Sequence, residues 1–250
     1  FTGTYKDIPV SVIGTGIGTD NVEIALVEAF IAHEFNLKDN TRKSDCPPMT
    51  FIRLGTSGGV HPDIAPDTLA ISSYALGLDN TGLYYDEAPV DEIVERIEIK
   101  AKQILTDAAL KDSRFRGKII PYASKASTEI TEALAKQAAK HNVKFEVGIT
   151  VSSPGFYGPS SRFIEGLKYT FPDIKGSLSK LEVDGLRVLN MEMESSLFFH
   201  LCGQMGYRAG TICTVISAST SSDDVVDYDA AIGSAIKIGL KTLVDLNKAS

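Results

Sequence analysis

The sequence is short of cysteine, of long apolar runs and of concentrated charge of either sign, and each shortage removes a class of protein. Its cysteines, Cys46, Cys202 and Cys213, form no even framework and no Cys-x-x-Cys pair, which argues against a disulfide scaffold or a thiolate zinc site. No apolar run reaches the roughly 18 residues of a membrane span, and the opening Phe-Thr-Gly-Thr-Tyr-Lys is neither a signal nor a transit peptide. Lys and Arg are scattered and the net charge is −7, so a nucleic-acid backbone finds no basic surface. The histidines, His33, His61, His141 and His200, show no metal-ligand spacing and accompany no nucleophile motif; His200 reads as a packed or surface side chain. No P-loop, repeat or low-complexity tract is present. The expectation is a cytoplasmic protein with no metal, no membrane partner and no nucleic-acid partner.

What is there supports a full core: 250 residues, of which 43% are hydrophobic and 23% charged, read as a single domain over 1–250. The chain starts without Met almost at a strand, which points to an amino-terminal segment that this sequence lacks. Strand-like and helix-like periodicities alternate from end to end. They predict an α/β three-layer sandwich with a central mixed, mostly parallel β-sheet flanked by helices, and with ligand loops at strand ends. Amphipathic helices are expected over 91–110, 127–141 and 227–247, strands over 68–73, near 119–122, over 145–151 and 208–217, surface loops over 36–48 and 75–87, and a hairpin-like section through Asp184-Gly185.

Four stretches stand out. Residues 8–13 read as a strand, Gly14-Thr15-Gly16-Ile17-Gly18 as a turn, and Val22, Leu26 and Phe30 as the face of a helix. A dinucleotide fingerprint needs a glycine where Thr19 stands, and no acid follows in a next strand, so the glycines are read as making a tight turn and close packing. Residues 50–54 read as a strand carrying Arg53 into a turn, Gly55-Thr56-Ser57-Gly58-Gly59: either an oxyanion cradle of guanidinium, hydroxyls and free amides, or a plain turn with a surface Arg. The loop 152–163 interleaves Phe156 and Tyr157 with Arg162, which suits a flat heterocycle stacked on a ring and bonded at its edge, or else forms a hydrophobic plug. The last, Leu189-Asn190-Met191-Glu192-Met193-Glu194-Ser195-Ser196, puts two carboxylates where a strand passes into a helix. A single Glu there would cap free amides; two in a methionine frame suit a polyhydroxylated ligand with an apolar face, such as a ribose.

Met191-Glu192-Met193-Glu194-Ser195 resembles the ribose-binding signature of the nucleoside phosphorylase family, which includes the uridine phosphorylases. Arg53-Leu54-Gly55-Thr56-Ser57-Gly58 resembles that family's phosphate-binding Arg-x-Gly-Thr-x-Gly, and Phe156-Tyr157 followed by Arg162 is similar to its uracil-recognition loop, Phe-Tyr-x-Gly-Gln-x-Arg. The likeness covers nearly the whole chain. It implies a pentosyltransferase that cleaves a nucleoside, uridine foremost, with inorganic phosphate to give uracil and ribose 1-phosphate, with phosphate as co-substrate and no other cofactor. It implies phosphate held by Arg53, Thr56 and Gly55, ribose by Met193, Glu194, Glu192 and Thr56, and base by Ser57, Gly58, Phe156, Ser160, Arg162, Met191 and Ile216. Arg53, Arg162 and Glu194 would carry the chemistry. It also implies a homodimer or higher homo-oligomer with shared sites.

Several positions depart from the family pattern. Its uracil-binding Gln falls on Ser160, too short for a bidentate amide contact. Ser217 stands where purine-specific relatives place an Asp that protonates the leaving base, and Ser219 where bacterial uridine phosphorylases carry an Arg. The family's Gly-Asp-Pro-x-Arg phosphate loop is not in this sequence. Two alternatives therefore stay open: a nucleosidase that uses water, and a nucleoside-binding protein with a degenerate site. Uridine, thymidine, deoxyuridine and inosine all remain open as ligands.

Overall fold

A computed structural model describes residues 1–86, 91–217 and 227–249. The first strand forms away from the main sheet. β1 (Thr2–Tyr5) and β2 (Ile8–Ser11) make a hairpin of their own, closed at Lys6 and Asp7, whose φ of 49° and 66° match the primed turns that fit strand twist. The glycine turn follows, then α1 (Thr19–Glu34), which buries Val22, Leu26 and Phe30. The expected surface loop contains a second small hairpin, β3 (Phe35–Asn36) with β4 (Thr41–Arg42).

The main sheet is built from β5 (Thr50–Gly59), β6 (Leu69–Gly77), β7 (Tyr122–Lys125), β8 (Phe145–Ser152), β9 (Glu182–Val183), β10 (Leu186–Glu192) and β11 (Arg208–Ser217). Its neighbours run β11-β5-β10-β8-β6, and β6 then pairs back onto β11, with Thr211 opposite Ser72 and Thr214 opposite Leu69. The ring is closed. An α/β fold with a mixed sheet and helices is what the sequence predicts, but the open sheet of a sandwich gives way to a barrel. Register shifts between Ser72 and Tyr74, Val188 and Asn190, and Val215 and Ser217 supply the bends, since an extra residue increases local twist and lets a sheet curl onto itself. The β5–β11, β6–β8 and β8–β10 pairs are parallel; β5–β10 and β6–β11 are antiparallel. β6 gives its first half to β11 and its second half to β7, so it continues through Gly77, where a loop is expected from 75.

Helices cover the ring. α2 (Glu92–Ala108) turns Val94, Ile97, Ala101 and Leu105 inward at helical spacing, and the Asp91 carboxylate accepts from the free amides of Ile93 and Val94. α3 (Thr128–Lys140) buries Ile130, Leu134 and Ala138 together with Ile212 of β11 and with Ala235 and Ile238 of α6 (Tyr228–Ala249). α4 (Ile174–Leu178) is a short helix that the sequence reading leaves out; Asp173 caps it. α5 (Ser195–Gln204) is buried from Ser195 through Cys202, between α1 and the barrel strands. Among the described residues, no helix is long and apolar enough to cross a membrane, and no group of three or more His, Cys, Asp or Glu side chains converges to hold a metal ion.

Candidate active site

β10 ends at Glu192 and α5 begins at Ser195, so the two carboxylates occupy the junction itself. They divide the work. Glu192 takes the capping role: its oxygens accept from the backbone N–H of Glu194 at 3.0 Å and of Ser195 at 3.0 and 3.1 Å, and from Ser152 Oγ at 2.6 Å. Glu194 makes no side-chain cap of the helix and is free to point elsewhere. Its Oε1 accepts from the backbone N–H of Gly18 at 2.7 Å, so the glycine turn at the start of the chain reaches the junction. The helix consequently starts at Ser195, just past both carboxylates.

Arg53 meets both acids. Nη1 lies 2.8 Å from Glu192 Oε2, Nη2 pairs with Glu194 Oε2, and Nη1 also donates to the Cys213 thiol at 3.1 Å. Burial alone would weaken the guanidinium's hold on its proton, but Glu192, Cys213 and Glu194 outweigh it and keep the pKa above the ordinary value. The Glu194 carboxyl is shifted upward by burial, with Arg53 opposing and Glu192 adding to the rise. Cys213 is pushed up to about 12, first by burial, so it stands beside Arg53 as a neutral thiol.

The stretch expected as a turn after Arg53 is strand. Gly55, Thr56 and Ser57 pair with Cys213, Thr214 and Val215 of β11, while β10 pairs with β5 only at Gly58 and Gly59. The cradle of a free turn is therefore replaced by a strand with one edge open beside the carboxylates. Gly55 is required where it stands: the guanidinium of Arg53 folds over it, and a Cβ there would lie 2.8 Å from Nη1. Ser57 Oγ accepts from Asn190 Nδ2 at 2.8 Å, and Asn190 Oδ1 accepts from Thr150 Oγ1 at 2.8 Å. This buried polar chain locks β5, β10 and β8 together and leaves none of the three side chains unpaired.

The loop residues form a second group. Arg162 stacks its guanidinium 3.9 Å from the centre of the Phe156 ring and donates from Nη1 to the Phe156 carbonyl at 2.8 Å. One face of that ring is thus already covered. Ser160 Oγ donates to the Gly155 carbonyl at 3.0 Å, so it shapes the loop from within.

One cavity of about 1180 Å³ gathers these parts. It is lined by Arg53, Gly55, Thr56, Ser57 and Gly58 from β5, by Phe156, Ser160 and Arg162 from the loop, by Met191, Glu192, Met193 and Glu194 from the junction, and by Ile216 and Ser217 from β11. Every residue expected at the site from the sequence lines it. Ser219 lies outside the described residues. Sequence reasoning missed Cys213 behind Arg53, Asn190 behind Ser57, and Lys175, whose ammonium approaches Gly58. Only spatial neighbourhood distinguishes these three from ordinary core and surface residues.

Comparisons with known proteins give a consistent family. A family model described as "Phosphorylase superfamily" matches residues 1–243. A uridine phosphorylase of Thermococcus kodakarensis is 30% identical over 226 residues, covering 89% of this chain and 62% of that protein. A uridine and thymidine phosphorylase of Caenorhabditis elegans is 28% identical over 224 residues, covering 88% of this chain and 62% of that protein. The chain thus spans less than two thirds of the length of these relatives. Among solved structures, a Trypanosoma brucei nucleoside phosphorylase described as showing uridine phosphorylase activity superimposes with a TM-score of 0.84 at 30% identity, covering 98% of this chain and 82% of that one.

Proposed function

The chain belongs to the phosphorylase superfamily, and on that premise we propose that it cleaves uridine with inorganic phosphate to uracil and ribose 1-phosphate, as a pentosyltransferase of cytoplasmic pyrimidine salvage. The observation that carries this reading is one cavity lined both by the Arg53–Glu194 pair and by the Phe156–Arg162 stack.

No protein nucleophile is needed. Arg53 and Thr56 hold phosphate below the sugar, with the remaining guanidinium donors of Arg53 turned to the anion. Glu194 accepts from the ribose hydroxyls and the Met193 thioether packs on the sugar's apolar face, which fixes the anomeric carbon for in-line approach. As the glycosidic bond breaks, positive charge on the sugar is met by phosphate and negative charge on the base by Arg162. Glu192, whose oxygens are taken by amides, Ser152 and Arg53, acts as a positioning residue rather than a direct ribose ligand.

We also place the protein in a homodimer or higher homo-oligomer. Val12, Ile13 and Ile17, at 61%, 56% and 69% exposure, stand along the same cavity, an apolar rim suited to a second copy. One observation favours a second reading, hydrolysis by water: Arg53 is already faced by two carboxylates, a poor charge balance for a phosphate dianion unless a neighbouring subunit lends a cation. Uracil release from uridine, followed by absorbance with and without phosphate, separates the two. Release only with phosphate supports phosphorolysis; equal release without it contradicts it and favours the nucleosidase.

A further inference from the structure

Lys175 does not itself line the cavity but stands just behind Gly58, which does. A methyl group added at Gly58 would lie 3.9 Å from Lys175 Nζ and 3.2 Å from Ser217 Oγ, so the ammonium stands just beyond a residue that has no side chain to screen it. Gly58, Ser217 and Arg162 all line the cavity. Among the described residues the Lys175 ammonium has no ion pair, and Arg162 has none either; the one carboxylate in its field, Asp173, is engaged with the amide of Gly176 at 2.8 Å. The backbone of Lys175 is tied to the loop, because its N–H donates to Ser161 Oγ at 3.1 Å, one residue from Arg162.

Two cations side by side, half-buried and unpaired, make a surface that gains from an acceptor oxygen bearing negative charge. Burial and the nearby Arg162 charge both push the Lys175 ammonium below its ordinary pKa, with Asp173 opposing, which is the mark of a cation lacking a partner. The neighbouring hydroxyls do not fill the need: Ser160 is spent on the Gly155 carbonyl. An ammonium has three donors and no acceptor, so its complement is a carbonyl oxygen rather than an amino group.

Resting on the reading of this cavity as a nucleoside site, we propose that Lys175 is a second base-edge donor, which acts with Arg162 on an exocyclic carbonyl oxygen of an oxo-pyrimidine. There it selects the oxo base over its amino-substituted counterpart and stabilises the charge on the departing base. Gly58 is the opening through which it reaches.

The test uses Lys175→Met, Lys175→Arg and Gly58→Ala in the full chain. Kinetics are measured with uridine and with phosphate as the varied substrate, and uracil binding is measured by titration calorimetry. Lys175→Met is expected to lower kcat/KM for uridine by about 10-fold to 100-fold, the worth of one charge-assisted hydrogen bond, with the phosphate KM and thermal midpoint unchanged. Lys175→Arg should recover most of the loss, and Gly58→Ala, which keeps the lysine but screens it, should reproduce it. Wild-type uridine kinetics in Lys175→Met, or a loss shared equally with phosphate, overturns the assignment. If the wild type releases no base, calorimetry decides alone. Weaker uracil binding in Lys175→Met than in wild type keeps Lys175 at the base edge while phosphorolysis fails, and equal or absent binding overturns the Lys175 role itself.

Discussion

Gly18 and Glu194 are joined by a hydrogen bond of 2.7 Å from the Gly18 amide to Oε1, across 176 positions of sequence. Gly18 has φ 96° and ψ 159°, a region open almost only to glycine, and a Cβ there would lie 2.7 Å from Asp20 Oδ1. The turn therefore aims an amide at the carboxylate that we propose reads the ribose. Gly18→Ala should cost about 1–3 kcal/mol in urea unfolding and raise the uridine KM more than the phosphate KM. Unchanged uridine kinetics would mean that the turn does not orient Glu194.

Arg53 holds two buried carboxylates apart. Removing it by Arg53→Ala leaves both uncompensated, so a loss of about 3–5 kcal/mol in unfolding free energy is expected, together with a raised phosphate KM. Adding Glu192→Gln to Arg53→Ala should restore part of the stability and none of the activity. Recovery of activity in the double variant would contradict a phosphate-binding role for Arg53.

Gly55 gives a cleaner separation of binding from stability. Its added Cβ would meet only the end of the flexible Arg53 side chain, at 2.8 Å from Nη1, so Gly55→Ala should displace the guanidinium without unfolding the strand. The phosphate KM should rise about 10-fold, as for one charge-assisted hydrogen bond lost, with a smaller loss of stability than in Arg53→Ala because the charge stays beside both carboxylates. Phosphate kinetics identical to wild type would show that the guanidinium's present position is not the working one.

The Glu194 carboxyl sits above the ordinary carboxylate range, chiefly through burial. A group whose folded-state pKa is raised stabilises the fold through its proton below the unfolded value, and that contribution is lost as pH rises through the folded value. The ionised form, which in the proposed reaction accepts from ribose, appears over the same window. Uridine kcat/KM should therefore climb from acid toward neutral pH through a limb lying above the usual carboxylate value, and Glu194→Gln should be low and flat. A limb that survives in Glu194→Gln would assign it to another group.

The helices were legible because their apolar residues repeat every three to four positions, as in Val94, Ile97, Ala101 and Leu105 of α2. The motifs that suggested a site were legible, and the structure brings their residues together along one cavity. The barrel was not, because closure rests on β6 pairing with β11 across a long stretch of chain, and no local periodicity encodes that. Gly55 to Gly59 was misread as a turn for a related reason. Glycine marks turns, but it also marks close approach: a Cβ on Gly59 would sit 3.2 Å from the Ile64 carbonyl and 3.4 Å from that of Ser217. Lys175 carried no signal in the sequence, where it is one lysine in a polar segment.

In the proposed reaction phosphate, not water, takes the ribose. The most direct measurement is phosphorus NMR of the full chain with uridine and inorganic phosphate, alongside uracil measured by absorbance in the same sample. One ribose 1-phosphate for each uracil is the predicted result, with much less formed by Arg53→Ala at the same sub-saturating phosphate concentration. Uracil accompanied by free ribose, with inorganic phosphate unconsumed, would contradict the account.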